Sequence, residues 1–229
     1  MESPTLAVLG IGFLLGLQHA IEADHLAAVS TIVSEKKSLA TASIVGGLWG
    51  VGHTISLFVV GALVILLKLQ ISEVVEARLE AIVGVMLVLL GLNALRKLFN
   101  SHVHAHVHNH GEREHVHFHT HAGESAPESH HRFSVRSILI GMVHGLAGSA
   151  ALMLLIVPTI SSPIVGLLYI LTFGIGSIGG MMAMSFLIGL PIHFTADRFD
   201  ILNKGIRLCA GIFSLSLGAF IIYEKALSV

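Results

Sequence analysis

Apolar runs long enough to cross a bilayer dominate this chain. A helical crossing takes about 20 apolar residues, and six such runs fall near residues 5–33, 39–68, 78–99, 135–158, 163–192 and 205–223. Of the 229 residues, 54% are apolar and only 12% charged, and the mean hydropathy is +0.84. The expectation is an all-α membrane protein of six transmembrane helices. The first, second and fifth runs exceed a simple crossing, which predicts tilt or a break within them. Pro158, Pro163 and Pro191 mark the ends of later spans.

Lysine and arginine set the orientation of such a chain. With both termini outside, ten of the thirteen basic residues fall on the cytoplasmic side: Lys36, Lys37, Arg96, Lys97, Arg113, Arg132, Arg136, Arg198, Lys204 and Arg207. Lys68, Arg78 and Lys225 stay outside with Glu73, Glu76 and Glu80. The expected location is the plasma membrane, multi-pass, with the central loop cytoplasmic. Only Glu2 is charged ahead of the first run, so no cleaved signal peptide is expected. A net charge of −1 without a basic patch sets nucleic acid aside as a partner. The single cysteine, Cys209, excludes a dithiol relay within one chain.

The two halves resemble each other. Leu15 opens "LGLQHAIEADHLAA" and Ile140 opens "IGMVHGLAGSAALM", so that His19 matches His144. Downstream, "WGVGHTIS" faces "TFGIGSIG", which matches His53 to Ser177, and Gly91 matches Gly218. Three spans per half bring the second copy into the bilayer in the opposite sense. The expected architecture is two inverted three-helix repeats, residues 1–100 and 133–229, around a loop at 101–132, with a site near the midplane. Glycines four apart, such as Gly12 and Gly16 or Gly141 and Gly145, suit close helix packing.

The first run carries His19, Glu22, Asp24 and His25. Ionisable groups at membrane depth are costly and mark a pathway or a site. Imidazole with carboxylate is a ligand set for a divalent transition metal. At ~100° per residue, His19, Glu22 and His25 form one helical stripe, and Asp24 points about 140° from His19. These groups therefore share one ion only if the helix unwinds near Ala20 to Ala23, or Asp24 serves as an outer partner that fixes an imidazole tautomer. His53 and His144 bring further imidazoles from other spans, and Ser149 is a further candidate ligand. His193, after Pro191, reads as interfacial. Met181, Met182 and Met184 read as packing, and Trp49 as packing or an interface anchor.

Residues 101–131 hold eleven histidines. So polar a stretch will not pack a core and is expected to be a disordered, metal-buffering loop. The site as a whole predicts passage of a divalent metal through the bilayer, with His19, Asp24, His25 and His53 replacing part of its water shell. Two other readings remain at this point: a metal-binding accessory protein that supplies a partner, and an intramembrane metal-dependent hydrolase with Glu22 as base. The hydrolase lacks a His-Glu-x-x-His run, and no phosphate-cradling loop for ATP is present.

The segment "HAIEADHLAAVS" resembles the His-x4-Asp-His signature of the nickel/cobalt transporter family, and Gly52-His53-Thr54 resembles that family's second-span motif. The short chain and "GMVHGLAGSAAL" look closest to the small, six-span branch of urease-accessory membrane proteins. The resemblance implies His19, Glu22, Asp24, His25 and His53 as metal-pathway positions. It implies Ni2+, with Co2+ second, as substrate rather than cofactor, and maturation proteins of urease or another metalloenzyme as partners. The chain departs from larger members in its fewer spans and in a glycine-rich His144 segment where they carry an acidic signature.

Overall fold

The structure, a computed structural model, describes residues 3–34, 38–69, 71–100, 103–109, 114–120, 135–146, 160, 162–196 and 199–227. Its helices are α1 (Ser3–His19), α2 (Ala23–Val33), α3 (Leu39–Leu67), α4 (Glu73–Phe99), α5 (Val135–Leu146), α6 (Pro163–Ala196) and α7 (Asp200–Leu227). The end of the fourth predicted span, Pro158 and Ser149 lie outside the described residues, as do Lys36, Lys37, Arg113, Arg132 and Arg198.

Polarity runs opposite to that of a water-soluble domain. Leu14, Leu66, Leu89 and Phe220 are more than half exposed, whereas His25, His53 and His144 are fully buried. Apolar side chains outside and imidazoles inside suit a hydrocarbon solvent. Among the described residues, α3, α6 and α7 are each long and apolar enough to cross a membrane, and α1 with α2 adds one more if that pair counts as a single span. The protein is therefore multi-pass.

The first span is broken, as its polar residues require. Ile21 N donates to Gln18 O (2.9 Å) and Glu22 N to His19 O (3.1 Å), a tight turn in place of the helical ladder. Glu22 is extended (φ −63°, ψ 151°), and α2 restarts with Leu26 N donating to Glu22 O. The two helices meet at a bend of 55°.

Lipid tails are as apolar as leucine, so helix association here relies on close packing and on hydrogen bonds between helices. A Cβ on Gly16 would strike the Phe173 carbonyl, and one on Gly176 the Phe13 carbonyl, which locks α1 to α6. In the same way Gly141 faces the Trp49 carbonyl and Gly52 the Ile138 carbonyl, locking α5 to α3. Gly84 meets Gly218, and Gly91 meets Gly211, between α4 and α7. Hydroxyls reinforce these seams: Ser56 Oγ donates to Met142 O (2.8 Å), Thr54 Oγ1 to Gly174 O (3.2 Å) and Ser214 Oγ to Leu87 O (2.9 Å). Gly141→Ala will therefore destabilise the protein by about 1–3 kcal/mol through overpacking. Gly10→Ala, with nothing within 4 Å of the added carbon, will leave stability unchanged or raised. Thermal unfolding of the two variants in one detergent measures the contrast.

Between α4 and α5 the chain forms a hairpin of two antiparallel strands, β1 (Val103–Asn109) and β2 (Glu114–Thr120). This corrects the expectation of a wholly disordered loop. The composition lacks a core, but a ladder needs only backbone pairing and a period of two, and histidine alternates here with Val103, Ala105, Val107, Val116 and Phe118. The remainder of 101–132 lies outside the described residues.

Candidate metal centre

The bend after His19 and the seam between α3 and α5 bring four imidazoles together. His19 ends α1, His25 lies in the first turn of α2, His53 is mid-way along α3, and His144 is on α5. All four are buried, none more than 2% exposed. Ring centroids are 4.3 Å apart for His19 and His25, 5.1 Å for His19 and His53, and 5.3 Å for His25 and His53. On the other side, His25 and His144 are 4.2 Å apart, and His53 and His144 are 5.8 Å apart.

Asp24 organises one flank. Its Oδ1 accepts from the His25 backbone N (2.8 Å) and lies 2.9 Å from His25 Nδ1, while Oδ2 lies 3.1 Å from His144 Nε2. A carboxylate on Nδ1 places the proton there, so the lone pair of His25 Nε2 is left for a cation. Glu22 is the outlying member. Its Oε1 is 2.8 Å from His19 Nδ1 but outside hydrogen-bond alignment, and the carboxylate is 52% exposed.

The remaining nitrogens have no partner. Among the described residues, His19 Nε2, His25 Nε2, both nitrogens of His53 and His144 Nδ1 are buried without a hydrogen bond. Each such orphan costs about 1–3 kcal/mol, so a cluster of them is expensive unless a cation is shared. Two trios can share one: His19 with His25 and His53, and Asp24 with His25 and His144. Within each trio the ligand atoms lie within 4.8 Å of one another. Donors on opposite sides of one ion stand about 4 Å apart at bond lengths of ~2.0–2.1 Å, so small rotations close either set.

Five of the six residues singled out from sequence thus enter a trio, and Glu22 stands beside them. The straight-helix conflict is resolved by the bend: His25 turns to His19, and Asp24 turns to His144. Of the two readings of Trp49, packing or interface anchor, the structure has the first, in the buried core. It is buried at the centre, its ring centroid 5.2 Å from that of His25 and 5.3 Å from that of His144. Phe173 walls the opposite flank, 5.3 Å from His19. Ser177, which the repeat matches to His53, donates its hydroxyl to Gly16 O (3.2 Å). Met181 is buried against Gly50, as packing. His193 is exposed, near the end of α6.

A family model described as the cytochrome c biogenesis protein transmembrane region matches residues 11–219. The chain is 40% identical over 219 residues to a urease accessory protein, UreH, of Bacillus sp. (strain TB-90), covering 96% of this chain and 92% of that one. It belongs to the urease-accessory UreH family of membrane proteins. The resemblance drawn from His-x4-Asp-His and Gly-His-Thr is thereby borne out. Two chloroplast proteins of Arabidopsis thaliana, FOR GROWTH AND FERTILITY 2 and 1, are 25% and 24% identical over 98% and 92% of this chain. These alignments cover 58% and 57% of the plant proteins. No solved structure matches. The Bacillus UreH protein is named as a urease accessory protein. In this UreH-family chain the single cysteine, Cys209, is exposed on α7 and leaves no second thiol for an internal disulfide.

Proposed function

We propose that this protein carries a divalent transition metal across the plasma membrane, nickel first and cobalt second. The observation that carries the reading is the buried imidazole cluster drawn from α1, α2, α3 and α5, with at least one partnerless nitrogen on each ring, inside an apolar-surfaced protein. A hydrated divalent ion enters hydrocarbon only where ligands replace its water. His19, His25 and His53 hold the ion in one setting, and Asp24, His25 and His144 in the other. Imidazole and carboxylate bind weakly enough to release, unlike a four-thiolate cage.

Alternating access follows from two inverted halves, residues 1–100 and 133–229, with six spans in all and the 101–132 segment on the cytoplasmic side. Reciprocal contacts support the symmetry. Gly16 meets Phe173 as Gly141 meets Trp49, where 141 lies 125 beyond 16 and 173 lies 124 beyond 49. Gly84 meets Gly218 as Gly211 meets Gly91, both members displaced by 127. Two halves that pair through small residues can rock about those seams. The UreH relative supports a place upstream of urease or another nickel enzyme, whose maturation proteins receive the ion.

The test is Ni2+ flux into proteoliposomes containing a fluorescent chelator, run alongside Co2+, Zn2+ and Mg2+. Nickel entry well above protein-free vesicles is expected, and removal of residues 101–131 will lower it without abolishing it. Flux no greater than in empty vesicles overturns the reading. Complete loss on loop removal assigns the activity to the loop instead, as in a metal-supplying accessory protein.

A further inference from the structure

We propose that the groove between α4 and α5 binds one anionic phospholipid, with an acyl chain along the groove and the headgroup phosphate on Arg136. The groove has a volume of about 410 Å³. Ile82, Val85, Met86 and Leu89 of α4 form one wall, and Ile140 and Val143 of α5 form the other. Arg136 lines one end, where the groove meets a small recess lined by Thr31, Asn93 and Ser137. Every other residue lining the groove is apolar. The α4 positions from Ile82 to Asn93 follow the i, i+3, i+4, i+7 spacing of one helix face. At about 1.5 Å per residue they cover about 16 Å, close to half of the ~30 Å hydrocarbon core. The apolar part is thus as long as one leaflet is deep, and its polar end lies at the level of a headgroup.

Charge selects the occupant. Lys204 and Lys225 pair with Asp200 and Glu80, whereas Arg136 has no carboxylate partner among the described residues. A guanidinium takes a phosphate through two parallel hydrogen bonds. The Asn93 amide adds a further N–H donor at the same end, and the next turn of α4 carries the exposed Arg96. A zwitterionic headgroup brings its own cation to this cluster, so an anionic one is preferred. Basic pockets between membrane helices bind anionic headgroups in this way. The inference goes beyond the transport reading and does not rest on it, because the groove shares no residue with either metal-binding trio.

The test titrates the full-length protein in a neutral detergent with phosphatidylglycerol, and with phosphatidylcholine of the same chains, and reads lipid bound per chain by native mass spectrometry. Phosphatidylglycerol is expected to bind about fivefold more tightly or better. Arg136→Gln, at an exposed position, will remove that preference. Arg78→Gln takes the same charge from the opposite end of α4 and will keep it. Val85→Phe fills the groove from a half-exposed position and will weaken both lipids. Inorganic phosphate, with no chain for the groove, will not displace phosphatidylglycerol. Equal affinity for the two lipids, equal losses from Arg136→Gln and Arg78→Gln, unchanged binding by Val85→Phe, or displacement by inorganic phosphate each overturns the proposal. No metal enters this readout, so its failure and that of the transport reading are separate results.

Discussion

Alanine at His25 will reduce nickel flux by about a hundredfold or more, beyond the 10–100-fold typical of losing an outer partner. His25 is the ring common to both trios, so its removal leaves each set with two donors. Trp49, 5.2 Å away, does not replace it, since it offers an N–H donor and no lone pair. Folding should survive, because the variant also deletes an orphaned buried nitrogen. The measurement pairs flux with thermal unfolding. Ligand at a hundred times its dissociation constant stabilises a protein by about 2.7 kcal/mol, so nickel should raise the midpoint of the parent in detergent and leave that of His25→Ala unmoved. A variant that still answers nickel and still transports it would remove the centre from the mechanism.

Asparagine at Asp24 tests the outer flank without changing shape. The carboxylate faces His25 Nδ1 with one oxygen and His144 Nε2 with the other. An amide accepts through its oxygen only, and its NH2 confronts the second imidazole, which must change tautomer to receive it. The negative charge that offsets the cation is lost as well. Nickel affinity is expected to fall about 10–100-fold, read as a shift in the nickel concentration that gives half-maximal flux. Glu22→Gln provides the contrast. That carboxylate is half exposed and unaligned with His19, and an exposed ion pair is worth only about 0–1 kcal/mol, so its shift should be fivefold or less. Equal effects at both positions would mean that Asp24 acts only as a distant charge.

The centre was legible because its residues break a strong rule. Imidazoles and carboxylates inside an apolar run have few structural uses, and helix geometry alone showed that His19 and Asp24 could not serve one ion without a break. The bend at Ala20 to Glu22 is the structural answer to that conflict. Packing was legible for Trp49, but not which rings it packs against. Only the close approach of Gly141 to the Trp49 backbone, a contact between residues far apart in sequence, places it against His25. The hairpin was missed for another reason. Histidine content was weighed as composition, whereas the strict alternation from Val103 to His108 and from His115 to Thr120 carries the strand period. Charge is confined to the ends of α4, which has 27 residues, with Glu73, Glu76, Arg78 and Glu80 in its first turns and Arg96 and Lys97 near its end. Lys225 of α7 pairs with Glu80, so part of that charge is neutralised within the protein.

The shared ring of His25 has a consequence for traffic. On the proposed transport, a neutral ring whose Nδ1 keeps its proton toward Asp24 has one lone pair to give, so the two trios would not both be furnished and the centre would admit a single passenger. A second ion would wait until the first had left, and crossings would proceed in turn rather than in convoy.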